Sequence, residues 1–110
     1  MTIFEKIQEA LKPVGIPCVP DVYKGEECKW ITYNYADDYG TDFADDVPET
    51  IINSVQIHLF LPQNEPFTRL KTKIRSILFE AGFTFPEITV LTEEEEKIRH
   101  IIFECDIEEE

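Results

Sequence analysis

The first periodic stretch of the chain is helical. Thr2 and Glu5 stand in the T-x-x-E spacing of a capping box, in which each side chain satisfies a free backbone N–H at the helix start. Ile3, Phe4, Ile7, Ala10 and Leu11 then recur at helical spacing and form one apolar stripe. Pro13 has no N–H and restricts Lys12, so this helix is predicted to stop by about Lys12, with Gly15 shaping the exit. Pro17 and Pro20 bracket a segment that is extended, and residues 18–23 read as a short edge strand. Lys24-Gly25-Glu26-Glu27 reads as a turn, and Trp30, Ile31, Tyr33 and Tyr35 as the second arm of a hairpin. Residues 36–50 change character: six Asp and Glu, among them Asp42, Asp45 and Asp46, crowd together with no Lys or Arg. This stretch is predicted to be an exposed acidic loop, with Tyr39, Phe43 and Val47 its apolar landmarks.

The clearest strand follows at 51–61. Val55, Ile57, Leu59 and Leu61 alternate with Ser54, Gln56, His58 and Phe60, a period of two that puts one face in a core. Pro62 ends it. Asn64 is placed to cap a second helix over 65–81, with Pro66 near its favoured first-turn site. Phe67, Leu70, Ile74, Ile77, Leu78 and Ala81 share one side of that helix, and Gly82 stops it. Phe79 projects roughly 150° from the stripe's centre at 100° per residue. Arg69, Lys73 and Arg75 flank it on the outer surface, with Lys71 nearer the border. A closing hairpin has arms at 87–91 and 98–107, joined by a turn at 92–97. In its second arm Ile101, Phe103, Cys105 and Ile107 are the core phase, and residues 108–110 form a frayed tail. The order α-β-β-β-α-β-β predicts a single α+β domain over 1–110: an antiparallel sheet of four to five strands with two helices on one face.

Composition narrows the function. The 110 residues suit one domain, and 43% hydrophobic content supports a core. Ten Lys and Arg against 23 Asp and Glu give a formal charge of −13, which repels nucleic acid and anionic membranes. With no leader pattern at Met1 and no apolar run of roughly 18 residues, the chain is expected to stay in the cytoplasm. Cys18, Cys28 and Cys105 are odd in number and widely spaced, unlike a disulfide framework or a zinc knuckle. Cys105 reads as a small core residue.

No catalytic constellation is legible. The four glycines are not clustered, and no nucleophile elbow, phosphate loop or dinucleotide fingerprint is present. His58 and His100 fall on the non-core phase of predicted strands and read as half-exposed residues, neighbours across the sheet, or interface residues; a general base would need an oriented partner. The Asp-rich stretch lacks the ligand register of a calcium loop, and Glu93 to Glu96 read as a solvated hairpin tip. No enzyme activity, metal or cofactor is expected. The informative pattern is one of charge. Arg69, Lys73, Arg75 and Phe79 make a basic aromatic patch on an acidic protein. It is either a solvated helix face or a surface that meets Asp42, Asp45 and Asp46 of the next copy. Such an unlike-surface contact is heterologous and repeats into a ring where the rotation closes.

The whole pattern resembles the tail-terminator, or tail-completion, proteins of tailed bacteriophages and prophages. The likeness is carried by the opening helix at 3–11, WITYNY at 30–35 with the acidic stretch after it, and SVQIHLFLP at 54–62. LKTKIRSILFEAGF at 70–83 and RHIIFECDIE at 99–108 complete it. The resemblance implies a non-enzymatic virion protein forming a homo-oligomeric ring, usually a hexamer, at the head-proximal end of the tail. Its implied partners are the tail tube protein, the head connector proteins and DNA that passes through the lumen without specific binding. Its implied places are the bacterial host cytoplasm during assembly and the virion, with no membrane contact. The family offers no catalytic residues to transfer, so the interface residues named above rest on charge and periodicity. The alternative reading is a small acidic cytoplasmic adaptor or regulatory domain that binds a basic protein.

Overall fold

The computed structural model describes residues 1–44 and 47–109, apart from the side chain of Asp42. Helix α1 spans Ile3–Leu11, and the predicted capping box is present in both directions: Glu5 N–H donates to Thr2 Oγ1 and Thr2 N–H to Glu5 Oε1. A 3-10 turn at Lys12–Val14 follows, and Gly15 leaves it at φ 74°, backbone that costs glycine nothing. The strands are β1 (Cys18–Pro20), β2 (Trp30–Ala44), β3 (Val47–Pro62), β4 (Glu87–Glu93) and β5 (Ile98–Glu108), with helix α2 (Thr68–Glu80) between β3 and β4. They form one five-stranded sheet in the order β1-β2-β3-β5-β4.

The sheet's alternation places the core. Ile31 and Tyr33, Val55 to Leu61 in steps of two, and Ile101, Phe103, Cys105 and Ile107 are buried together. Over them lie Ile3, Ile7 and Leu11 of α1 and Ile74 and Leu78 of α2, so both helices cover the same face. Gln8 Nε2 donates to the Cys18 carbonyl and the Tyr33 hydroxyl, tying α1 to the first two strands. Helix α2 ends in a paired-bond exit: Phe83 N–H reaches Leu78 O and Gly82 N–H reaches Phe79 O, with Gly82 at φ 107° and Phe83 buried. No helix among the described residues is long and apolar enough to cross a membrane.

Four expectations are corrected. First, residues 36–44 and 47–50 are strand, not loop. The register between β2 and β3 runs on past Tyr35↔Val55 through a bulge at Ala36, then from Asp37↔Ser54 to Ala44↔Val47. Tyr39, Thr41 and Phe43 opposite Ile52, Thr50 and Pro48 are strand-formers, and acidic side chains cost a solvated strand little. Asp45 and Asp46 lie outside the described residues. Second, β1 and β2 are parallel, with Cys18 beside Ile31, so they are not a hairpin. Tyr23 stacks on Trp30 with ring centroids 5.5 Å apart, and its hydroxyl accepts from Glu27 N–H. The intervening segment thereby returns to the level of Cys18 before β2 starts. Third, α2 begins at Thr68 behind Phe67, without a side-chain cap, instead of at Glu65 behind Asn64. Pro66 disfavours helical backbone at Glu65, whose N–H closes a turn on Pro62 O. Fourth, the closing hairpin is longer than expected, with only residues 94–97 as its turn.

Candidate functional site

Two surfaces stand out, and the first is a product of how the strands end. The pairing of β3 with β5 stops at Ile52↔Glu108, and β1 accompanies β2 only from Ile31 to Tyr33. Beyond Tyr39 and Ile52, β2 and β3 therefore run on as a two-stranded arm with no helix over it. The molecule measures 53 × 26 × 25 Å, and its radius of gyration of 15.2 Å exceeds the value of about 13 Å for a compact chain of this length.

Strand alternation makes the arm two-faced. Tyr39, Thr41 and Phe43 of β2 share a face with Pro48, Thr50 and Ile52 of β3, and none of the six is charged. Asp38 and Glu49 belong to the other face. Tyr39 is 42% exposed, Phe43 65% and Val47 62%. An isolated two-stranded ribbon is marginal in water, and this one holds aromatic side chains in solvent. Asp42 lies in β2 within the arm.

The second surface is the outer side of α2 and the turn after it. Phe79 is 55% exposed and meets Phe85 edge to face, with centroids 5.5 Å apart. Phe85, 58% exposed, lies under the Arg75 guanidinium at 5.0 Å. Arg75 and Phe79 are thus brought together, and Phe85 joins them, a residue the sequence pattern did not single out. It sits between Thr84 and Pro86 in a segment without periodicity, so its one legible signal was an apolar residue beside a proline. Arg69 and Lys73 are exposed and, among the described residues, form no ion pair. Arg69 is ten residues from Phe79, about 15 Å along the helix, and borders a cleft with Val14, Ile16 and Leu70. The basic residues are thus spread around the solvent side of α2, and Arg75 is the one beside the Phe79–Phe85 pair.

The uncovered face of the sheet holds the histidines. His58 Nε2–H donates to Asn34 Oδ1 at 2.9 Å, leaving His58 Nδ1 to accept from His100 Nε2–H at 2.8 Å. His100 Nδ1 lies 3.3 Å from Glu93 Oε1. Trp30, Phe60 and His100 stack in a row beside them. A first proton is accommodated at His100, facing Glu93; a second, on His58 Nδ1, would set two N–H groups against each other. Burial lowers both imidazoles from their ordinary value of 6.5; at His58 the His100 charge adds to this, and at His100 the Glu93 carboxylate opposes it. A depressed folded-state pKa means the pair's full contribution to stability is present above about pH 6.5 and is lost as pH falls through the lowered values. Urea unfolding at pH 7 and pH 5 is therefore expected to show an acid-side loss that shrinks in His58→Gln/His100→Gln. An unchanged pH dependence in that variant would contradict it.

Burial pushes the Cys18 thiol up to about 11 and Cys105 to about 12, so both stay protonated at neutral pH. Among the described residues no group of three or more His, Cys, Asp or Glu side chains could hold a metal ion.

The molecule is a small α+β domain built on one sheet, with its distinctive chemistry in surfaces of opposite charge. No protein-family model and no curated protein sequence matches it. Among solved structures it is similar to a chain from the virion of a native gene transfer agent (GTA) particle. The TM-score is 0.60 at 12% identity, over 97% of this chain and 95% of that chain. The likeness is one of fold.

Proposed function

We propose that the protein is a structural component of a phage-type virion, a tail terminator whose copies form a ring that caps the tail tube and joins it to the head. The observation that carries this reading is the near end-to-end fold likeness to a chain of a gene transfer agent virion. The order of elements and the glycine exit of α2 support it, as does the protruding acidic arm on a chain that also displays a basic helix face. The ring, a hexamer by resemblance to tail terminators, is held through unlike surfaces: Arg69, Lys73, Arg75 and Phe79 of one copy against the Asp42, Asp45 and Asp46 stretch of the next. Its partners are the tail tube protein and the head connector. A net charge of −13 lets DNA pass through the lumen without sticking. The work is geometric, with no catalytic step, done in the host cytoplasm during assembly and then in the virion.

The test is reconstitution with cognate tail tubes. Added protein is expected to stop tube elongation and to appear as a ring at one tube end by electron microscopy, with native mass spectrometry reporting the stoichiometry. A protein that stays monomeric and leaves the tubes growing overturns the reading.

A further inference from the structure

We propose that the contact between neighbouring copies is an arm exchange: the uncharged face of the β2–β3 arm of one copy seats on the Phe79–Phe85 shelf of the next, with Arg75 at its rim. This rests on the ring reading and specifies its joint. The arm's exposed face, Tyr39, Phe43 and Ile52, is apolar and aromatic, as is the shelf. Aromatic groups of this kind pair offset or edge to face, as Phe79 and Phe85 already do.

Charge selects a second copy as the occupant. From residue 30 to residue 68 there is no Lys or Arg, so the arm is uncompensated within its own segment. The shelf is bordered by Arg75. Asp37, one step before Tyr39 on that same face, then faces Arg75 and sets the direction of approach.

Area explains why the joint would need the tail. Four aromatic side chains of roughly 150–250 Å² each, about half of it still exposed, bury roughly 300–500 Å². That is well below the roughly 1,200 Å² of a stable interface, so a single joint is weak. Closure of the ring on a tube end makes the successive joints intramolecular and raises their effective concentration.

The test is disulfide trapping in the full chain with tail tubes. In a Cys28→Ser background, Phe43→Cys/Phe79→Cys is expected to give a ladder of cross-linked multimers on oxidation, and each single variant no ladder. Phe79→Ser is expected to lower tube capping at least tenfold. All these positions are exposed, and an unchanged urea midpoint verifies the fold. Rings on tubes with no ladder, and Phe79→Ser capping like the wild type, overturn the arm exchange while leaving the ring. No rings and unchecked tube growth overturn both. Dimers from Phe43→Cys alone mean that arm meets arm, and also overturn it.

Discussion

Phe103→Ala is expected to remove about 3–5 kcal/mol of folding stability, the usual cost of truncating a fully buried aromatic. Phe103 lies on β5 between Ile57 of β3 and Ile88 of β4, with no exposed surface, in the one cluster that α1 and α2 both cover. Two terms add: the ring's transfer from water is lost, and the cavity left behind collapses only partly because strands on both sides hold the backbone. Against the ~5–15 kcal/mol available to an ordinary domain this is a large share. With a urea m-value of about 1–2 kcal/mol/M the midpoint is expected to fall by about 1.5 M or more. A change under about 1 kcal/mol would mean that this cluster does not hold the helices to the sheet.

Excising the arm is expected to separate folding from assembly. Joining Tyr39 to Ile52 through Asn-Gly supplies a two-residue hairpin turn and removes residues 40–51. None of the removed residues whose burial is described is buried, and the backbone bond lost from the body is Glu109 N–H to Ile51 O. Folding stability is expected to change by no more than about 1 kcal/mol, since the core is untouched and a shorter connection costs slightly less closure entropy. On the proposed function, tube capping is expected to be abolished. A shortened protein that caps like the parent would show that the arm is not the joint. One that fails to fold would make the arm part of the body.

The contrast between these two variants tracks what was legible beforehand. The core of the body was readable because burial imposes periodicity: the alternation from Val55 to Leu61 and from Ile101 to Ile107 allowed no other phase without turning polar groups such as Gln56 or charges such as Glu104 inward. The arm was misread for the complementary reason. With no core on either side, its pattern had no buried phase, and six acidic residues suggested a loop where the backbone forms a ladder. The patch on α2 was half legible. Helical geometry put Phe79 and Arg75 outside, but Phe85 reached them from a turn with no period at all. His58 and His100 were legible as strand residues off the core phase. Their mutual hydrogen bond was not, because each is paired in the ladder with another residue, Ile102 and Phe60 respectively.

By itself the amino-acid order determined the element sequence α-β-β-β-α-β-β, the capping box of α1, the glycine exit of α2 and the buried side of β3 from Val55 to Leu61 and of β5 from Ile101 to Ile107. These are local or periodic properties, settled within a turn of helix or a few residues of strand. Only the tertiary structure decided that β1 runs parallel to β2, that β2 and β3 outlast their neighbours to form an arm, and that Phe85 completes an exposed aromatic shelf. Each of these depends on where a third segment stops, and a residue's sequence neighbours carry no record of which distant strand ends beside it.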